Sequence, residues 1–238
     1  MLPKRDRLYM TTSVTFPASL KNKLIVSCQA FPGDPLDHVE TLRRIAISVL
    51  RGGAGGLRAN GADSISVFRS ETSLPIIGIL KRFENDGPNI TPDFASAQSV
   101  SHAGADIIGM DCSAQRPSSS EPWSQLLSRI REELHRPVLA DIATFDEARA
   151  AEQAGADAVA TTMFGYTPET AGERSINWRL VEQLAKSLSI PVIVEGHVRQ
   201  PDEVRRAFDS GVFAVVVGAA ITQPEAITAR FVASIPGC

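Results

Sequence analysis

Short apolar runs that recur along the chain constrain its fold more than any other feature of the sequence. One form of the repeat has glycine at the end of a helix-like segment and an apolar run directly after it; its copies are GGAGGLRAN (52–60), AGADIIGMD (103–111), AGADAVATT (154–162) and SGVFAVVVG (210–218). A second form opens with proline; its copies are LPIIGILK (74–81), RPVLADIAT (136–144) and IPVIVEG (190–196). Such short runs, rich in β-branched residues, are typical of parallel strands covered on both faces. Together with LIVSC (24–28), the two forms predict eight strands.

The spacing of these runs decides between two parallel-sheet folds. Roughly 20 to 35 residues separate successive runs, which leaves room for one helix in each interval and fits a closed barrel or a doubly wound sheet. A doubly wound sheet that binds a dinucleotide carries GxGxxG after its first strand, and residues 28–35 have no such motif. We therefore predict an α/β fold, a single-domain TIM (β/α)8 barrel over residues 20–238. Residues 1–19 show no sustained period and are predicted to be an N-terminal leader.

Helix boundaries follow from apolar spacing and capping residues. An apolar stripe predicts the first helix at about residues 36–50, ending before Gly52 and Gly53. Capping residues or prolines are predicted to open four later helices, at Thr91–Pro92, Thr144–Glu147, Pro201 and Pro224.

Composition and charge narrow the possible partners. The chain is 43% hydrophobic and has a formal net charge of −3, so it offers no basic face for nucleic acid, and a small-molecule partner is favoured. No apolar run approaches the roughly 20 residues of a membrane-spanning helix. The residues after the basic start are too polar for a signal peptide, so we expect a cytoplasmic protein. Cys28, Cys112 and Cys238 have neither CxxC spacing nor an even number, which predicts free thiols and no zinc site.

Polar and charged residues gather at the predicted carboxyl ends of the strands, where barrel enzymes carry their sites. These residues are Ser27 to Gln29, Arg58 to Asn60, Lys81, Arg82, Asp111, Asp141, Thr161, Thr162, Glu195 and Gly218. The last two runs both end in glycine, which lets a phosphate approach backbone N–H groups without a Cβ in its path. We therefore predict a phosphate cradle at Gly196, Gly218 and Ala219, beside the carboxylate of Glu195.

The chain also resembles a known family through eight stretches in the family's own order: LIVSCQAFPGDPL, GLRAN, PIIGILKR, ADIIGMD, LADIAT, TTMFGYT, IPVIVEGHV and VVVGAAITQPEAIT. It is similar to the N-acetylmannosamine-6-phosphate 2-epimerases of sialic acid breakdown. The resemblance implies a (β/α)8 barrel, a homodimer, that interconverts N-acetylmannosamine 6-phosphate and N-acetylglucosamine 6-phosphate without a metal or redox cofactor. It also implies that Lys81 and Glu195 are the catalytic lysine and glutamate, supported by Gln29, Arg58 and Asp141.

The implied chemistry needs a base at the barrel mouth. Removal of the C2 proton from the open-chain sugar gives an enolate, which fixed charges or donors must stabilise. Lys81 is the expected base, and because a lysine has a reference pKa of about 10.4, we expect burial and the cations Arg58 and Arg82 to lower its pKa. Asp141 is expected to orient Lys81, although its negative charge would raise the same pKa. Glu195 is expected either to assist ring opening or to stabilise the proton transfers.

One position departs from the family, which usually has arginine after the glycine of the seventh predicted strand. This chain has His197 there, so the charge contact with phosphate falls to Arg199 or to a protonated His197. Tyr166 either contacts the substrate or only holds its own loop.

Two other functions remain open from the sequence. A lysine on a barrel strand can also condense with a sugar carbonyl, as in a Schiff-base lyase. A phosphosugar-binding protein without catalysis would keep the glycine cradle and lose Lys81 or Glu195, and this chain keeps both.

Overall fold

The computed structural model describes residues 14–84, 87–117 and 120–236. Within them the strands are β1 (Lys23–Cys28), β2 (Gly56–Asn60), β3 (Ile76–Ile79), β4 (Lys81–Glu84), β5 (Gly87–Ile90), β6 (Ile107–Asp111), β7 (Val138–Asp141), β8 (Ala158–Ala160), β9 (Val192–Glu195) and β10 (Ala214–Val217). The helices are α1 (Val39–Arg51), α2 (Ala62–Glu71), α3 (Phe94–His102), α4 (Trp123–Arg129), α5 (Phe145–Gln153), α6 (Trp178–Ser187), α7 (Pro201–Asp209), α8 (Ala219–Thr222) and α9 (Pro224–Val232).

Eight of these strands form a closed parallel barrel in the order β1-β10-β9-β8-β7-β6-β3-β2. The barrel closes where β1 pairs with β10, with Lys23 opposite Ala214 and Val26 opposite Val217. Because all eight strands run the same way, their carboxyl ends meet at one rim. The predicted (β/α)8 barrel is confirmed.

Apolar side chains cover both faces of the barrel wall, because successive side chains of a strand point to opposite faces. Ile25 belongs to the cluster inside the barrel, with Ile77, Ile107 and Ile193. Its neighbour Val26 belongs to the larger cluster between the strands and the surrounding helices. The polar rim therefore stands on a packed interior rather than on an open pore.

Three of the predicted helix starts are confirmed. Thr144 and Glu147 form a reciprocal capping box at α5, and prolines stand in the first turn of α7 and of α9. Helix α1 begins at Val39, three residues later than predicted, because Asp34 accepts a hydrogen bond from the Leu36 amide in a turn before it.

The prediction that Thr91 caps a helix is wrong. Asp93 is the N-cap of α3, and its side chain accepts a hydrogen bond from the Ser96 amide. Thr91 instead has a left-handed backbone (φ 49°) and donates its hydroxyl to the Gly109 carbonyl at 2.7 Å. It closes a turn against β6, and the helix starts only afterwards.

An antiparallel hairpin, β4–β5, extends from the rim directly after β3 and has no counterpart in the predicted strands. Lys81 is its first residue and pairs with Ile90. The Lys81 amide also donates to the Asn60 side chain at 2.8 Å, which ties the hairpin to β2. Lys81 therefore stands on regular structure and not on a loop.

The other end of the barrel is covered by residues just before β1. Leu20 is buried in the interior cluster, and Phe16 packs edge-to-face on Phe213 with ring centroids 5.9 Å apart. Residues 1–13, most of the predicted leader, and Cys238 lie outside the described residues. Cys28 and Cys112 are buried free thiols. None of the helices in the described ranges is long and apolar enough to cross a membrane.

Candidate active site

A cavity of about 570 Å³ opens at the carboxyl ends of the strands. Among the residues predicted for the site, ten line it: Gln29, Arg58, Lys81, Tyr166, Glu195, Gly196, His197, Arg199, Gly218 and Ala219. Asp141 lies beneath the floor and is fully buried. The structure thus brings together residues that are far apart in sequence.

Arg58 is the centre of the cavity floor and is only 1% exposed. Its Nη1 and Nη2 donate to the two carboxylate oxygens of Asp141 at 2.9 and 2.6 Å, and Nη1 also donates to Glu195 Oε2 at 2.5 Å. Thr162 adds a hydroxyl hydrogen bond to Asp141 at 2.6 Å. One buried cation therefore holds two carboxylates, an arrangement whose geometry is fixed by charge-assisted, bidentate contacts.

Lys81 has a pKa lowered to about 8. Burial is the largest cause, and the positive charge of Arg58 is the second, while Glu195 and Asp141 act in the opposite direction. The predicted contribution of Arg82 is wrong, because Arg82 is half-exposed and forms an ion pair with Asp93 at 2.8 Å. Lys81 Nζ lies 5.4 Å from the ring centroid of Phe31.

Glu195 has a pKa raised to about 7. Burial is the main cause and Asp141 adds to it, whereas Arg58 and Lys81 lower the pKa. The pKa stays raised because burial outweighs the effects of both cations. Lys81 and Glu195 therefore have pKa values close to each other and to neutrality, as a general base and a general acid require.

The expected contact between Asp141 and Lys81 is absent from the described residues, where Asp141 binds Arg58 and Thr162 instead. Asp141 was expected to raise the pKa of Lys81 through its negative charge, and its ion pair with Arg58 reduces that effect. The pKa of Lys81 stays lowered because burial is the largest effect and Arg58 adds to it, while Asp141 has the smallest of the opposing effects. Asp141 positions the guanidinium group and not the lysine.

Gln29 presents a buried acceptor to the cavity. Its Nε2 donates to Ser27 Oγ at 2.7 Å, while its Oε1 is buried without a hydrogen-bond partner. An unpaired buried acceptor costs about 1–3 kcal/mol. A hydroxyl or amide donor of a ligand would remove that cost.

The predicted phosphate cradle forms the other side of the cavity. Gly196 has a left-handed backbone (φ 95°) directly after β9, which glycine adopts without strain. Gly218 precedes α8 and accepts hydrogen bonds from the Ile221 and Thr222 amides, which leaves the N–H groups of Ala219 and Ala220 without an acceptor in the helix. Thr222 donates to the Ser27 carbonyl at 2.9 Å and fixes α8 against β1.

The His197 side chain is bound to neighbouring residues beside the cradle. Its Nε2 lies 2.9 Å from the Phe164 carbonyl, and its ring stacks on Tyr166 with centroids 5.6 Å apart and planes 15° apart. Tyr166, which is 59% exposed, therefore both lines the cavity and contacts the end of β9. Arg199 lines the cavity as predicted.

Two lining cations, Arg174 and Arg230, were not predicted from the sequence. Arg230 follows Ala226 by four residues on α9, and Ala226 follows the N-cap Gln223 by three; this helical spacing of three lining residues could have indicated Arg230. Arg174 belongs to an irregular segment before α6, where no periodic signal exists.

Asp111, another strand-end carboxylate, is not among the lining residues. It accepts a hydrogen bond from the Ser113 amide at 2.7 Å, and burial raises its pKa to about 6. Across the described residues, no group of three or more histidine, cysteine, aspartate or glutamate side chains is placed to hold a metal ion.

The fold and the site together define a class: a (β/α)8-barrel protein with a partly buried lysine beside buried carboxylates at the carboxyl ends of its strands. Residues 42–236 match the family model described as "NanE: Putative N-acetylmannosamine-6-phosphate epimerase". The chain belongs to this family.

Relatives and solved structures agree with this assignment. Proteins described as "Putative N-acetylmannosamine-6-phosphate 2-epimerase" include one from Cutibacterium acnes, 40% identical over 216 residues (90% of this chain, 94% of the relative). Another, from Synechococcus elongatus, is 41% identical over 206 residues (85% and 89%). The solved N-acetylmannosamine-6-phosphate 2-epimerase of Clostridium perfringens superimposes with a TM-score of 0.87 at 37% identity, covering 91% of this chain and 95% of its own. A thiamine phosphate pyrophosphorylase from Pyrococcus furiosus, 18% identical with a TM-score of 0.60, shares the fold alone.

Proposed function

We propose that this protein interconverts N-acetylmannosamine 6-phosphate and N-acetylglucosamine 6-phosphate by proton transfer at C2. The observation that carries the proposal is the pair formed by Lys81 and Glu195 in one cavity, with pKa values shifted towards each other, to about 8 and about 7. Family membership supports the same reaction.

In this mechanism neutral Lys81 takes the C2 proton of the open-chain aldehyde. The electron pair of the C–H bond becomes the C1–C2 double bond, and the carbonyl electrons move to O1 as an enolate. Protonated Glu195 then returns a proton to the opposite face of C2, and the proton on Lys81 passes back to the glutamate through the solvent in the cavity. Substrate and product are isomers, so the reaction balances without an oxidant, a reductant or a metal ion.

The charge that develops on O1 needs a preorganised partner. Arg58 lines the same cavity as Lys81 and Glu195 and is held by Asp141, so it requires no rearrangement when the enolate forms. We assign the guanidinium group to enolate stabilisation and Gln29 to a polar group of the substrate.

The phosphate is assigned to the opposite side of the cavity, at the backbone of Gly196, Gly218 and Ala219. Arg199 lies beside them, and Arg230 donates to its carbonyl at 3.1 Å. Binding at this end would leave C1 and C2 at the Lys81 side, because the phosphate is on C6 at the far end of the open-chain sugar.

The direct test incubates N-acetylmannosamine 6-phosphate with the wild-type protein, with Lys81→Ala and with Lys186→Ala, and separates the sugar phosphates by chromatography. Lys186 is exposed on α6 and serves as the matched control. We expect product from the wild type and from Lys186→Ala only. Undiminished product formation by Lys81→Ala would remove the role given to this lysine.

Reduction with borohydride distinguishes the proposed epimerase from a Schiff-base lyase. A Schiff base between Lys81 and the sugar carbonyl would be reduced to a stable adduct. For the proposed base, we expect mass spectrometry to find Lys81 unmodified after reduction in the presence of substrate.

We also infer a homodimer, with residues 20–238 as one catalytic domain, in the cytoplasm. Support for the dimer comes from apolar side chains left exposed at the end of the chain: Phe231 (73%), Val232 (48%) and Ile235 (52%). The buried free thiols Cys28 and Cys112 support a reducing compartment.

A further inference from the structure

The segment 164–174 crosses from β8 towards the phosphate side of the cavity and is joined internally by hydrogen bonds. The Gly165 amide donates to Thr170 Oγ1 at 2.8 Å, and Thr170 Oγ1 lies 2.9 Å from the Thr167 hydroxyl. Arg174 Nη1 donates to the carbonyls of Gly165 and Glu173 at 3.2 and 3.1 Å. These bonds join Arg174 to the rest of the segment, so residues 164–174 form one structural unit.

His197 connects this unit to the end of β9. Its Nε2 contacts the Phe164 carbonyl and its ring covers one face of Tyr166, so it holds the segment by a hydrogen bond and by a stack. Since a carbonyl only accepts, Nε2 must carry the hydrogen of this bond.

The backbone and a neighbouring glycine fit this contact. His197 has a left-handed φ of 59° after Gly196 at 95°, which turns its side chain from the strand direction towards the segment. At Gly165, a Cβ would lie 2.7 Å from His197 Nε2 and 2.5 Å from the Glu173 carbonyl oxygen. Only glycine at position 165 allows the histidine to approach this closely.

Arg174 is the cation that the segment brings to the cavity. It is exposed, it lines the cavity, and both of its hydrogen bonds use Nη1 and go to neutral carbonyl oxygens, which do not offset its charge. Nε and Nη2 keep the fork geometry with which a guanidinium group binds phosphate.

We propose that His197 is a positioning residue that latches segment 164–174 over the cradle, and that Arg174 supplies the phosphate contact expected of position 197. The inference rests on the proposed function for the identity of the ligand, a sugar phosphate. In this proposal, segment 164–174, which lies outside the glycine cradle, gives the site its preference for a phosphorylated over an unphosphorylated sugar.

The test uses inorganic phosphate as the probe, with binding measured by calorimetry on the full chain. His197→Gly removes the side chain and keeps a residue that accepts the left-handed backbone. We expect His197→Gly and Arg174→Gln each to weaken binding about tenfold or more, the scale of a charge-assisted hydrogen bond. We expect Arg174→Lys to recover part of the loss.

The double variant distinguishes a latch from a direct ligand. If His197 acts through Arg174, His197→Gly with Arg174→Gln should bind phosphate no worse than either single variant, because coupled residues are not additive. Multiplied losses in the double variant, or unchanged binding by Arg174→Gln, would overturn the proposal.

Amide hydrogen exchange gives a readout that needs neither ligand nor catalysis. His197→Gly should speed exchange at Gly165 and Tyr166, and Tyr166→Ala, which removes the stack from the other side, should speed it at Gly165. Unchanged exchange in both variants contradicts the latch. If the variants change phosphate binding as expected but the protein does not epimerise the sugar, the latch is supported and the proposed function is contradicted.

Discussion

At the scale of single residues, Lys81 sets how the activity depends on pH. Lys81 is neutral mainly above its pKa of about 8, and Glu195 is protonated mainly below its pKa of about 7, so kcat/KM should rise with pH to a maximum between about 7 and 8 and then fall. Steady-state rates with N-acetylmannosamine 6-phosphate between pH 6 and pH 9 measure both limbs. A rate that is flat across this range would contradict a lysine base.

The charge of Glu195 also affects how the activity depends on pH. Its negative charge raises the pKa of Lys81, so Glu195→Gln should remove the falling limb and leave a single rise, governed by a lysine pKa below about 8. Loss of the acid should also reduce kcat by roughly 10²–10⁴-fold. A falling limb that persists in Glu195→Gln, or a rise centred above pH 8, would show that the electrostatic account of the pair is wrong.

Arg58 carries a prediction about stability. Arg58→Met leaves Asp141 and Glu195 buried without their cation, and breaking a buried ion pair in this way costs roughly 3–5 kcal/mol. Urea unfolding measures the loss, with Arg44→Met as control because the Arg44 side chain is 78% exposed in its ion pair. Equal stability of the two variants would remove the structural role of Arg58.

At the scale of elements, the capping box at α5 gives a smaller and independent prediction. Thr144→Ala removes the acceptor for the Glu147 amide, and loss of an N-cap costs about 0.5–2 kcal/mol. Thr41→Ala, inside α1, should cost nothing, because alanine has the higher helix propensity. Comparable urea midpoints for Thr144→Ala and the wild type would contradict the assigned cap.

Elements were predictable from the sequence where local physical chemistry decides them. Prolines at Pro201 and Pro224 and the spacing of Thr144 and Glu147 act within one turn, so their helix starts were predicted correctly. Thr91 failed because a long-range contact, its hydroxyl on the Gly109 carbonyl, overrides the local capping signal. Hairpin β4–β5 was missed because Lys81 follows the strand run without a break in sequence.

The site divides in the same way. Lys81, Glu195 and the glycines end apolar runs, so barrel topology alone places them at one rim. Arg58 binds both Asp141 and Glu195, and Arg58 and Glu195 are 137 residues apart in the sequence. No sequence period predicts contacts over such a distance. The contact of His197 with Phe164 is equally non-local. The sequence therefore led us to expect that His197 binds the phosphate, and gave no sign that it contacts segment 164–174.

At the scale of the whole molecule, the exposed apolar end of the chain predicts self-association. Phe231→Glu should shift the sedimentation coefficient from that of a dimer to that of a monomer, because a charge replaces a side chain that is 73% exposed in the single chain. Arg51→Glu, on the exposed end of α1, should leave the dimer intact. A monomeric wild type would contradict the homodimer.

Isotope exchange at C2 tests the central claim most directly, because it reports substrate, bond and base in one reaction. N-acetylmannosamine 6-phosphate is incubated with the protein in heavy water and followed by proton NMR. The account predicts that the C2 proton signal disappears as N-acetylglucosamine 6-phosphate forms, and that Lys81→Ala abolishes both changes while Lys186→Ala abolishes neither. Product that keeps its C2 proton, or exchange that continues in Lys81→Ala, would contradict it.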